Sequence, residues 1–250
     1  MKKLIVANWK MYPKNAREAL AAFVSLKKNL PVSRTVDVAI APPFMYLSLF
    51  PKNAKMALAA QDIFWEAEGS FTGEISGAML KNAGTRYVII GHSERRKYLG
   101  ETDDMVNKKV KYALKAGLSV ILCIGEQKRD ADGVFYSIIK AQLSGALKGV
   151  PASQMPRVAV AYEPVWAIGT GKPARPKDAE EASLYTKKIV AKLYGAPRAR
   201  VMRVLYGGSV NAQNAGSFLA EREIAGLLVG RESRNIKEFI EIVRCAQATS

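Results

Sequence analysis

The chain of 250 residues is poor in the side chains that hold metals and redox centres, with one histidine and two cysteines. A single histidine excludes two-histidine metal sites and the HExxH motif by count. Cys123 and Cys245 form neither a redox nor a metal-ligand spacing, so free thiols in a reducing compartment are expected. Cys123 lies in the apolar run Ser119-Val120-Ile121-Leu122-Cys123-Ile124, which reads as packing rather than as the setting of a nucleophile. No stretch reaches the roughly 18 uninterrupted apolar residues of a membrane span. The apolar start Leu4-Ile5-Val6-Ala7 is cut short by Asn8 and Lys10 before a signal-peptide core develops. A soluble, unexported, cytoplasmic protein is expected. Nucleotide fingerprints are also missing: no glycine pattern follows the first strand, and Ala167-Ile168-Gly169-Thr170-Gly171-Lys172-Pro173 lacks the leading glycine and final Ser/Thr of a P-loop. No cofactor and no metal are expected.

Acidic residues are scarce beside basic ones, 22 against 38, leaving a formal charge of +16. Such a balance favours anionic partners, but its sign alone names none. Much of the excess sits in helix-like stretches such as Lys108-Lys109-Val110-Lys111 and Lys187-Lys188, which read as solvated outer faces. Aromatic residues are not interleaved with these charges as stacking platforms would be, so no specific nucleic-acid partner is expected, and no membrane partner either.

What the chain does have is alternation. Short β-branched runs beginning at Leu4, Val36, Met56, Tyr87, Leu118, Val158, Val201 and Ile224 are apolar on consecutive positions, as parallel strands buried on both faces must be. Amphipathic runs over residues 15–29, 43–50, 75–83, 103–116, 133–148, 177–194, 211–220 and 235–246 read as helices between them. No linker or shift in composition divides the chain, so residues 1–250 are expected to form one domain. Eight evenly spaced units of this length favour an α/β fold closed as a single (β/α)8 TIM barrel; a doubly wound open sheet is the alternative.

In such a barrel the reactive groups gather at the carboxyl ends of the strands. Read there, the chain offers Asn8-Trp9-Lys10, Gly91-His92-Ser93-Glu94, Tyr162-Glu163-Pro164, Tyr206-Gly207-Gly208-Ser209 and Val229-Gly230. An amine, an imidazole and carboxylates thus converge on one mouth. A lone histidine is often structural, yet His92 stands at a strand end two residues before Glu94, where imidazole suits proton shuttling. Glu163, partly shielded from water, suits a general base that abstracts a proton beside a carbonyl. Lys10 suits a fixed cation that holds an anion and stabilises charge on an enolate oxygen, with Asn8 donating to the same oxygen. The glycines at the seventh and eighth strand ends offer backbone N–H groups where many barrels bind phosphate, and residues 167–172 read as a lid.

Five segments together resemble the triosephosphate isomerase family: Ala7-Asn8-Trp9-Lys10-Met11, Gly91-His92-Ser93-Glu94-Arg95-Arg96, Cys123-Ile124-Gly125-Glu126, Ala161 through Lys172, and Tyr206-Gly207-Gly208-Ser209-Val210. The resemblance covers nearly the whole chain. It implies interconversion of dihydroxyacetone phosphate and glyceraldehyde 3-phosphate through an enediolate. It further implies catalytic roles for Asn8, Lys10, His92, Glu94 and Glu163, with Glu94 organising the other groups, and phosphate contacts from Gly169, Gly171, Ser209 and Gly230. Lid closure would keep water from the enediolate phosphate, which otherwise expels phosphate. A homodimer is implied through the segment that starts at Gln61 and ends at Glu74, with Thr72 reaching toward the neighbour's Asn8 and Glu94.

Two positions depart from the family pattern. Gly230-Arg231 stands where the family usually has two glycines, so a strained backbone is expected at Arg231 if positive φ is needed, together with an added guanidinium contact to phosphate. Pro173, at the lid's far hinge, fixes φ where torsions must absorb motion and is expected to alter opening kinetics. Two other readings stay open on residues alone. One is a phosphate-binding barrel isomerase or lyase acting on a larger sugar; the other is a non-catalytic polyanion binder.

Overall fold

The structure is a computed structural model and describes residues 1–51, 56–130, 133–168 and 173–249. Eight strands, β1 (Lys3–Asn8), β2 (Val36–Ala41), β3 (Ala57–Ala60), β4 (Thr85–Ile90), β5 (Ser119–Ile124), β6 (Val158–Tyr162), β7 (Arg203–Tyr206) and β8 (Gly226–Val229), close into one barrel in sequence order. Every neighbouring pair is parallel, and β1 closes on β8 through Leu4 opposite Gly226 and Ala7 opposite Val229. Closure needs a residue without a side chain at Gly226, because a Cβ there would lie 1.9 Å from the Leu4 carbonyl oxygen.

Consecutive apolar residues work here because the two-residue period sends alternate side chains to opposite faces. Leu4, Val6, Ala39, Tyr87, Ile89, Ile121, Cys123 and Leu205 fill the barrel interior, where alanines on β2, β3 and β6 leave room for the larger side chains. Ile5, Ile40, Val88, Ile90, Leu122, Val160 and Val204 face outward against the helices. Truncating one of these fully buried isoleucines to alanine costs about 2–5 kcal/mol.

The helices are α1 (Ala16–Asn29), α2 (Gly77–Asn82), α3 (Ser93–Leu99), α4 (Asp103–Lys115), α5 (Val134–Leu147), α6 (Pro176–Tyr194), α7 (Ala196–Val201), α8 (Ala212–Leu219) and α9 (Ile236–Ala248). Several of their starts carry side-chain caps, each worth about 1 kcal/mol: Asn15 accepts from the Glu18 N–H, Thr102 from Met105 and Asn211 from Asn214.

Three expectations need correction. The helix expected over 43–50 is a 3-10 segment, Phe44–Leu49. The short helices α3 and α7 were not foreseen; α3 reads Ser-Glu-Arg-Arg-Lys-Tyr-Leu and buries no residue, so it has no apolar period to detect. Val201, expected to begin the seventh strand, ends α7 instead, a helix started by Pro197 in its first turn.

Candidate active site

The ends of β1, β4, β6, β7 and β8 meet around one cavity of about 440 Å³, lined among others by Asn8, Lys10, His92, Glu94, Glu163, Ser209, Gly230 and Arg231. Eight of the ten anticipated site residues therefore share one mouth; Gly169 and Gly171 lie outside the described residues.

Lys10 is held in a conformation that L-residues rarely adopt. Its φ is 53°, the only positive value on a non-glycine among the described residues. Asn8 Oδ1 accepts the Lys10 N–H at 3.1 Å, while Gln61 Nε2 donates to the Lys10 carbonyl at 2.7 Å and to the Ala41 carbonyl at 2.8 Å. These bonds offset a strain of order 1–3 kcal/mol and turn the ammonium toward Glu94, with which it forms a close ion pair.

His92 caps α3, and its Nδ1 accepts the Glu94 N–H at 3.2 Å. An accepting Nδ1 carries no proton, so in the neutral ring the hydrogen is on Nε2. That nitrogen stands 3.1 Å from Glu163 Oε1. The other carboxylate oxygen of Glu163, Oε2, accepts the Ser93 N–H at 2.8 Å, and the residue is 1% exposed. One short helix start thus orients both the imidazole and the carboxylate.

Behind the acid lies a group that the reading of strand ends left without a role. The fully buried Glu126 carboxylate accepts from Tyr162 Oη and Trp166 Nε1, each at 2.8 Å, and its backbone carbonyl accepts from the Val165 N–H. Desolvation raises its pKa, outweighing the hydrogen bonds from Trp166 and Tyr162 that act the other way. On the opposite wall Ser209 Oγ donates to the Ala167 carbonyl at 2.7 Å, and the Ala174 N–H donates to Tyr206 Oη at 3.2 Å. Residues flanking both ends of the segment 169–172 are therefore tied to the barrel by side chains. The signal for Glu126 was its place, directly after the fifth strand.

The strain expected at Arg231 is absent. Arg231 opens the 3-10 segment Arg231–Arg234 and has no positive φ; the unusual torsions, φ −86° and ψ −109°, belong to Gly230. Ser233 secures this turn by donating to the Gly230 carbonyl at 2.7 Å. Cys123 is fully buried, and burial, then the negative charge of Glu163, pushes its thiol pKa well up, which suits packing. Among the described residues, no group of three His, Cys, Asp or Glu side chains is placed to hold a metal ion.

A family model described as triosephosphate isomerase matches residues 3–246. The chain belongs to the triosephosphate isomerase family. It is 44% identical to the triosephosphate isomerase of Trichlorobacter lovleyi, with 96% of this chain and 97% of that one covered. Against the triosephosphate isomerase of Citrifermentans bemidjiense it is 45% identical over 98% and 99% of the two chains. The enzyme of that name from Chloroherpeton thalassium is 44% identical at the same coverage. Triosephosphate isomerase membership makes the chain an isomerase of a triose phosphate, which settles the two readings left open by the residues alone.

Proposed function

We propose that this isomerase interconverts dihydroxyacetone phosphate and glyceraldehyde 3-phosphate with Glu163 as the base, His92 as a neutral hydrogen-bond donor and relay, and Lys10 with Asn8 as stabilisers of the enediolate. The family is itself the standard illustration of a glutamate base paired with a neutral histidine, and the roles follow that pattern. The observation that carries the reading is the 3.1 Å approach of His92 Nε2 to Glu163 Oε1 at the floor of the cavity. The carboxylate takes the carbon-bound proton, the Nε2 hydrogen meets the carbonyl oxygen as it gains charge, and the Lys10 ammonium offsets the negative charge spread over the enediolate. Glu94, paired with Lys10, holds the ammonium in place.

Ser209, Gly230 and Arg231 line the far side of the cavity and suit the phosphate; Gly169 and Gly171 are assigned to the same group from the family pattern. A homodimer completes the proposal. The segment from Gln61 to Glu74 exposes Phe71 and Thr72, while Phe64 stacks on Trp65 and packs on Phe71. Two free thiols suit a reducing cytoplasm.

The deciding experiment is isomerisation of glyceraldehyde 3-phosphate by the purified chain beside Glu163→Ala, with nothing else added. Loss of turnover by several orders of magnitude in a folded variant is expected. Retention of turnover removes Glu163 as the base. For the dimer, sedimentation equilibrium of Thr72→Arg should show monomers of reduced activity.

A further inference from the structure

The parallel barrel sorts this chain's charge by end. Helix starts face the active-site mouth and carry the acids: Glu18, Asp103, Asp104, Asp178 and Glu238 all lie in first turns. Helix ends and strand starts form the opposite face, and the bases gather there. Lys27 and Lys28 end α1, Lys81 ends α2, Lys115 ends α4 and Lys192 ends α6. Complementing helix dipoles explains the cations in helix last turns, Arg198 and Arg200 at the end of α7 included, but not Arg34 and Arg86, which lie outside the helices in the same face.

Among the described residues, the acids at this end are Asp37 and Glu223, and each is already held. Asp37 meets Arg203 at 3.2 Å and Lys2 at 3.8 Å, and Glu223 is bound by Lys187. Among the described residues no ion pair engages Lys27, Lys28, Arg34, Arg198 or Arg200, all of which are exposed. These unpaired cations therefore face away from the substrate and are badly placed to steer it. Apolar tips stand among these cations: Val32, 79% exposed, between Lys28 and Arg34, and Val201, 53% exposed, directly after Arg200. The aromatic residues among the exposed large hydrophobics, Tyr12, Phe71 and Tyr98, follow strand ends on the active-site side, so this face offers no stacking platform for bases.

We propose that the amino-terminal face of the barrel docks on an anionic lipid bilayer, with Lys27, Lys28, Arg34, Arg198 and Arg200 meeting headgroup phosphates and Val32 and Val201 entering the interfacial layer. Cations around exposed aliphatic tips are the pattern for peripheral attachment to anionic membranes. The expected lack of a membrane partner followed from the lack of a spanning segment, which attachment of this kind does not need. Docked this way, the enzyme keeps its active-site mouth open to solvent.

The test is co-sedimentation of the full chain with phosphatidylcholine vesicles, and with vesicles containing about one third phosphatidylglycerol, at about 0.1 M salt. Binding to the anionic vesicles alone is expected. It should weaken by about tenfold or more in the triple variant Lys27→Glu, Lys28→Glu, Arg34→Glu, and measurably in Val32→Asn, with isomerase activity unchanged. A charge-matched control, Lys14→Glu, Lys128→Glu, Lys237→Glu at the other end, should bind as the parent does. No sedimentation with anionic vesicles, or equal loss in both triples, overturns the proposal. So does tight binding of duplex DNA that is lost in the first triple while Val32→Asn leaves vesicle binding untouched, which makes nucleic acid the partner.

Discussion

Gly125 packs against the backbone of Glu163 so closely that a Cβ on it would lie 1.7 Å from the Glu163 carbonyl oxygen. The Glu163 N–H donates to the Ile124 carbonyl at 2.7 Å, so the base is seated on the end of the neighbouring strand. Gly125→Ala must push that seat away. A displacement near 1 Å costs on the order of 100-fold in turnover. The expected result is a folded variant whose kcat falls by about that factor while KM changes little; parent-like kcat would mean that the carboxylate does not depend on this contact.

Arg231 has no ion-pair partner among the described residues and lines the cavity. Its guanidinium adds a charge to the part of the cavity proposed for the phosphate. Arg231→Gly should raise KM and weaken inhibition by inorganic phosphate several-fold with kcat intact, and the gap between parent and variant should narrow as salt rises. Identical KM and phosphate inhibition in the two proteins would remove Arg231 from the substrate.

Glu126 provides a pH signature. Burial holds its carboxyl above the ordinary 4.5, so the folded chain binds this proton more tightly than the unfolded one. Its contribution to stability is greatest below pH 4.5 and is lost as pH rises through the folded value. Gln accepts the same hydrogen bonds from Trp166 and Tyr162 without titrating. Thermal unfolding of Glu126→Gln should therefore improve relative to the parent on going from pH 4 to neutrality; a constant difference across that window contradicts the assignment.

Pro173 lies on the cavity wall, next to Ala174, whose N–H is held by Tyr206 Oη. With φ fixed at Pro173 and a hydrogen bond at Ala174, this pair of residues has little torsional freedom to serve the expected hinge. Relaxation measurements on Pro173→Thr should reveal faster exchange than in the parent, with kcat moving in step if opening limits turnover.

Much of this was legible in the chain because its strands and helices announce themselves locally. Val158-Ala159-Val160-Ala161-Tyr162 is apolar at every position and is buried at every position, so the strand and its end at Glu163 follow from pattern alone. α3 did not follow, since none of its side chains is buried and its place is set by His92 at its cap. Whether Arg231 needs a positive φ was not legible for a related reason: the torsion that distinguishes Gly230 from Arg231 belongs to the turn that the Ser233 bond closes, three residues away.

The sequence by itself determined eight parallel strands, their order, and the polar residue types at their ends, because side-chain period and apolar burial are properties of short segments. Tertiary structure alone decided that Ser93 would aim its N–H at Glu163, that Gly125 would seat it, and that Arg34 and Arg86 would share a face with the lysines at the helix ends. Closing the barrel brings residues 70 positions apart to 2.8 Å and turns every helix the same way, and no local pattern encodes either result.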